Sequence, residues 1–273
     1  MYMYYKQKEG KKMEKGQVLM DLLEKLSFSN PDLLGVLLPC AIAFAGGYTV
    51  YIFCLLILAK EHTSCYPSWM HTFFCACDAL GAVFWAQEAL WNDNFWAFWA
   101  FSVCMAIWVV LELISMYFSM KYERQEVLGN LYGKPVTMGM AVRHLVIQFI
   151  MWTGVIASII YFMGGYADAA FFKLYFWTNL MVALGPCWYW MRRGVKTGRV
   201  GAGVAIQIMI LITIIITWTP AGIGMWCTIS DYFWTPTCVY AGVVVTCFAI
   251  YNLVYQWKLP KKPVVVPGKK PLP

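Results

Sequence analysis

The sequence predicts an all-α, polytopic membrane protein: a bundle of seven transmembrane helices preceded by a short N-terminal interfacial helix. Three observations point there. The 273-residue chain is 61% hydrophobic and only 13% charged, against about 25% charged in a soluble domain, so it lacks the polar surface to cover a soluble globule. Seven apolar runs reach the roughly 20 residues that a helix needs to cross a hydrocarbon core of ~30 Å. Lys and Arg gather in alternate links between those runs, the bias of a multi-pass protein.

Residues 1–31 form an N-terminal tail. Within its 14–28 stretch, Val18, Leu19, Leu22, Leu23 and Leu26 recur at helical spacing with a polar back, which predicts an amphipathic helix at the membrane interface. Asn30-Pro31 breaks it, and Pro31 opens the next helix. The membrane domain, 32–258, holds the runs Leu33–Ala59, Tyr66–Trp91, Phe95–Lys121, Met138–Met163, Ala169–Met191, Val200–Trp226 and Phe233–Trp257. Pro186 and Pro220 predict local kinks near the ends of runs five and six. No internal repeat of the kind that builds inverted-repeat transporters is visible. Residues 259–273 are basic, Pro-rich and predicted to be disordered.

The links after runs one, three and five and the C-terminal tail carry Lys60, Lys121, Arg124, Lys134, Arg143, Arg192, Arg193, Lys196, Arg199 and Lys258 onward. The opposite links carry Asp93, Asp168 and Asp231 and no Lys or Arg. That places the C-terminus in the cytoplasm and the N-terminus outside the cytoplasm or in a lumen. Lys6, Lys8, Lys11 and Lys12 oppose this; a native start at Met13, after which the tail is net acidic, removes the conflict. The net charge of +7 is accounted for by this bias and by a tail suited to anionic headgroups, so the expected partner is membrane lipid and not nucleic acid. Most of the ten cysteines lie inside the runs, where a thiol acts as a small hydrophobe. Cys227 and Cys238 flank the last outer link, where an oxidising compartment permits a disulfide.

Few ionisable groups lie within the runs, and such groups mark sites by default. His71, Cys75 and Asp78 share one face of run two. Asp78 lies about 18 Å along its helix, and Glu112 of run three about 14 Å from the same membrane side, so antiparallel packing brings the two carboxyls to similar depth. A carboxyl shut in a low-dielectric cavity favours its neutral form, and two close together favour it further. A neutral acid in such a place can serve as a general acid. The bland alternative is interhelical hydrogen bonding. Asn252, Asn179 and Gln207 are the deep amides. Glu88 lies nearer the outer surface, within reach of snorkelling, while Arg143 and His144 suit headgroup anchoring. Trp85, Trp108 and other indoles inside the runs suit a cavity wall that stabilises a cation. Phosphate-loop, zinc-protease, serine-hydrolase and Mg-dependent prenyl-transferase motifs are absent from the sequence. No Lys lies deep in run seven to carry a retinal Schiff base.

The stretch YTVYIFCLLILAKEHTSCYPSWMHTFFCACDALGAVFW resembles the small seven-span terpene cyclases of fungal meroterpenoid and indole-diterpene pathways. Lys60-Glu61-His62-Thr63 is similar to that family's link after span one, and Cys77-Asp78 to a Cys-Asn pair in span two. MYFSMKY in run three, Arg192 and Arg199, and Asn252 with Tyr255 in AIYNLVYQW add to the likeness. The resemblance covers runs one to three and seven best. It implies acid-initiated carbocation cyclisation of a prenylated lipid, with no metal or soluble cofactor. The family's acids, a Glu in span two and an Asp in span seven, fall here on Ala82 and Asn252. Either the acid has moved one turn, to Asp78, or the chemistry differs, or there is none.

The leading expectation is therefore a membrane-embedded terpene cyclase or isomerase. Asp78 would be the acid, Glu112 its partner or base, His71 an orienting group, and Asn252, Tyr255, Trp85, Trp108 and Asn179 would contact substrate. The alternative is a non-catalytic transporter or lipid-binding receptor using the same cavity. A third expectation is an assembly subunit exposing the aliphatic face of MILITIIIT in run six.

Overall fold

The structure, a computed structural model, describes residues 16–163, 173–178, 181, 201–218 and 224–261. The regular elements there are α1 (Gln17–Lys25), α2 (Leu33–Glu61), α3 (Ser68–Trp91), α4 (Trp96–Tyr132), α5 (Met138–Phe162), α6 (Gly201–Trp218), α7 (Met225–Ile229), a 3₁₀ turn (Asp231–Phe233) and α8 (Pro236–Lys258). Residues 173–178 are also helical. Five helices, α2, α3, α4, α5 and α8, are long and apolar enough to cross a membrane. The protein is thus all-α, membrane-embedded and multi-pass. Most of run five lies outside the described residues.

Three expectations need correction. Run six is not one helix to Trp226: among the described residues α6 reaches Trp218, Gly224 is extended (φ −77°, ψ 135°), and α7 begins at Met225. Thr219-Pro220 follows in sequence, and proline removes a helix donor and crowds the preceding turn. Run three does not end at Lys121. The helix continues through Glu123, Arg124, Gln125 and Glu126, good helix formers, and stops where Gly133 takes the left-handed conformation, φ 59°. Arg124 Nε donates to the Val136 carbonyl at 2.9 Å, and Gln125 accepts from Val136 N at 2.8 Å, pinning the turn into α5.

The third concerns α1, whose apolar stripe does not face lipid. Val18, Leu19, Leu22 and Leu26 are buried in protein, against the segment that includes α7. Ser230 Oγ bonds the Asp21 carboxylate, and Trp96 Nε1 donates to the Leu26 carbonyl at 3.0 Å. α1 thus closes the Asp-bearing end of the bundle.

The core is built from two tight pairings, α3 against α4 and α2 against α6, with α8 on α6 and α5 on α3. Close approach rests on small residues, as in other membrane bundles. A Cβ added at Gly46 of α2 would clash with Thr213 Oγ1 of α6, and one at Gly242 of α8 would meet the Trp218 carbonyl at 3.2 Å. α6 divides its isoleucines between two faces: Ile206, Ile210 and Ile214 are buried, and Ile208, Ile212 and Ile215 form an exposed aliphatic face.

Candidate functional site

A cavity of about 130 Å³ opens between α2, α3, α4, α6, α7 and the 173–178 stretch. Nine of its lining side chains are aromatic, among them Tyr51, Tyr66, Trp85, Trp108, Tyr175 and Trp226. They are braced from behind. Trp108 stacks on Phe44 at 5.2 Å between ring centres and lies beside Tyr48 at 5.1 Å. Trp85, 1% exposed, meets Phe101 edge-on at 5.3 Å. Tyr175 Oη donates to the Cys77 carbonyl at 3.3 Å. A wall held this way keeps its ring faces where they are, which is what stabilising a cation by π-faces requires.

Among the described residues, Asp78 is the lone carboxyl in that wall. It is 5% exposed and has no hydrogen-bond partner among the described residues. A buried polar group without a partner costs ~1–3 kcal/mol or more. A group in the cavity that bonds the carboxyl offsets that cost.

Glu112 and His71 sit beside this wall and do not line it. Glu112 is 1% exposed; Tyr51 Oη donates to its Oε1, and its Oε2 pairs with His71 Nδ1. His71 Nε2 meets Ser64 Oγ at 3.1 Å. Ser64 in turn donates to the Tyr66 carbonyl at 2.7 Å, and its own amide donates to Glu123 Oε2 at 2.9 Å. The link that holds Ser64 is fixed by His62, which ends α2 at φ 54° with its ring 3.9 Å from that of Tyr122. A left-handed residue other than glycine costs about 1–2 kcal/mol, so packing on α4 offsets a local strain here.

Tyr51 connects the two carboxyls' surroundings: it lines the cavity with Asp78 and donates to Glu112. Of the expected substrate contacts, Trp85 and Trp108 line the cavity and Asn252 and Tyr255 do not. Asn252 is 1% exposed with neither amide atom bonded. Tyr255 is half-buried on α8, its ring 6.4 Å from that of Tyr251. Asn179 lies outside the described residues; its neighbour Thr178 lines the cavity. Glu88 does not snorkel: it is 3% exposed and accepts from Asn92 Nδ2 at 3.0 Å. Cys227 and Cys238 are both free thiols. Burial, more than Cys238 and Asp231 nearby, pushes the Cys227 thiol up from its ordinary value.

Sequence reasoning missed Tyr51, Ser64 and Glu123. Tyr51 is one tyrosine in an aromatic-rich chain and carries no spacing signal. Glu123 was readable in principle, as an acid in a basic link. Among the described residues no group of three His, Cys, Asp or Glu side chains is placed to hold a metal. No known family, curated protein or solved structure matches the chain.

Proposed function

We propose that the protein is a membrane-embedded cyclase or isomerase acting on a prenyl lipid, with Asp78 as the initiating acid. The observation that carries this reading is the Asp78 carboxyl, the one carboxyl in the aromatic wall and without a hydrogen-bond partner among the described residues. The Asp78 O–H bond breaks as a new O–H bond forms on an epoxide oxygen, or a C–H bond on an alkene. The epoxide C–O bond opens, and the resulting tertiary cation is attacked by a neighbouring double bond. The π-faces of Trp85, Trp108, Tyr66 and Trp226 lower the energy of the cation and keep water from it. Loss of a C–H proton ends the sequence, which is redox-neutral. The likeness of runs one to three to the small terpene cyclases supports the reading; the acid then stands one turn before the position occupied in that family. In this reading all seven apolar runs cross the bilayer and the Lys-rich links face the cytoplasm.

The test is product analysis by mass spectrometry. Membranes carrying wild type or Asp78→Asn are fed terminally epoxidised and unmodified farnesyl and geranylgeranyl lipids. A same-mass cyclised product that disappears in Asp78→Asn, with the variant still monodisperse, is the expected result. Full activity in Asp78→Asn removes the acid role. Tight binding of these lipids without conversion by the wild type replaces the enzyme with a lipid receptor.

A further inference from the structure

Tyr51 and Asp78 line the same cavity, and behind Tyr51 runs a continuous chain of buried polar groups: Glu112, His71 and Ser64, which are 1%, 3% and 2% exposed. We propose that Tyr51 takes the proton that ends the reaction, and that Glu112 and His71 are positioning residues that draw it off through Tyr51. The proposal rests on the reading of Asp78 as the initiating acid and assigns the other half of its proton balance.

The donor inventory fixes the direction. Ser64 has one hydroxyl hydrogen, and it goes to the Tyr66 carbonyl at 2.7 Å. Ser64 Oγ can therefore only accept from His71, so His71 Nε2 carries hydrogen. Nδ1 then shares one proton with Glu112 Oε2, as a neutral imidazole and acid or as an imidazolium and carboxylate. Glu112 Oε1 accepts from Tyr51. Glu112, His71 and Ser64 do not line the cavity; of this chain, Tyr51 does.

The step balances from either resting arrangement. A C–H bond of the cation breaks and its proton goes to Tyr51 Oη, whose own hydrogen passes to Glu112 Oε1. If His71 began neutral, the proton on Oε2 moves to Nδ1. Both routes end with phenol, carboxylic acid and imidazolium. The site has then moved one proton from Asp78 to the His71 end, leaving Asp78 as carboxylate. Its net charge with product bound is unchanged. When product leaves, the proton returns through Tyr51 and a water in the emptied cavity to Asp78. A network serving only to satisfy buried polar groups has no need to end on a residue that lines the cavity with the acid.

The experiment has two arms. In reconstituted membranes, Tyr51→Phe and Glu112→Gln are given terminally epoxidised farnesol. Asp78 is intact, so substrate is still consumed, about tenfold more slowly or less, with KM unchanged. The product changes from one cyclised alkene to a mixture of alkene isomers and water-quenched alcohols. A wild-type product pattern from Tyr51→Phe overturns the proposal, as does loss of all consumption in a variant that remains folded. In the second arm, nitrogen-15 histidine spectra are recorded in nanodiscs, with His71 assigned among the three histidines by His71→Asn. Its Nδ1 signal is expected to shift in Tyr51→Phe, two links away. Turnover by the wild type with a His71 signal indifferent to Tyr51→Phe overturns the relay alone. No turnover by the wild type, with His71 still coupled to Tyr51, overturns the enzyme reading and the base role with it.

Discussion

α3 and α5 lie side by side and make opposite use of the same medium. α3 is the less apolar of the two, yet 56% of its most apolar stretch is buried; α5 is more apolar, and only 11% of its stretch is buried. Val146, Ile147, Ile150 and Met151 of α5 are exposed, while His71, Thr72, Asp78 and Glu88 of α3 are shut inside. In water the ranking would be reversed. Lipid tails are as apolar as leucine, so apolar side chains gain little by turning inward. Polar ones cannot turn outward without losing their hydrogen bonds. In this protein polarity marks the interior, and the helix that looks poorest as a span carries the proposed acid.

That contrast can be broken at several places. The largest effect is expected at Asp78. Asp78→Asn should lower turnover by about 10²–10⁴-fold, the range for a lost general acid, while Ile150→Ala on α5 leaves it at the wild-type rate, both by product quantification. Next is packing. Trp85→Ala should cost ~3–5 kcal/mol, and Ile150→Ala less than about 0.5 kcal/mol, read as midpoints of detergent-driven unfolding. Equal losses would mean that α5 is covered by protein. The α2–α6 seam comes third. Gly46→Ala should cost about 1–3 kcal/mol as overpacking, and most of this should return in Gly46→Ala/Thr213→Ala, since Thr213 Oγ1 has no partner to lose. The smallest effect reverses sign. Asn252→Leu should hold or raise stability by ~1 kcal/mol, because its buried amide is unpaired and such a group is costly. A loss of turnover in that variant would bring α8 into the site after all.

Five of the seven expected spans were legible because bilayer thickness sets both length and composition: α5 was expected from Met138 to Met163 and runs to Phe162. Asp78 was legible for the same reason, a carboxylate at mid-depth in an apolar run. The docking of α1 was not, since an apolar stripe is satisfied equally by lipid or by protein and the sequence does not distinguish them. Glu88 lies near a helix end, where a free side chain would snorkel; it is Asn92, one turn on, that holds it in. Tyr51 was illegible for a deeper reason. Its proposed role comes from a contact with Glu112, 61 residues away, and depends on how α2 is rotated against α4, which no local pattern encodes.

Three of the rings in the cavity wall, Trp85, Trp108 and Trp226, are indoles. Indole emission moves with the polarity of what touches it, and a neighbouring acid proton quenches it. A hydrocarbon chain that displaces water from this wall should therefore turn the near-ultraviolet fluorescence bluer and brighter as it enters. The chamber is its own dye, and its filling and emptying can be followed by light without a label, before any product has been identified.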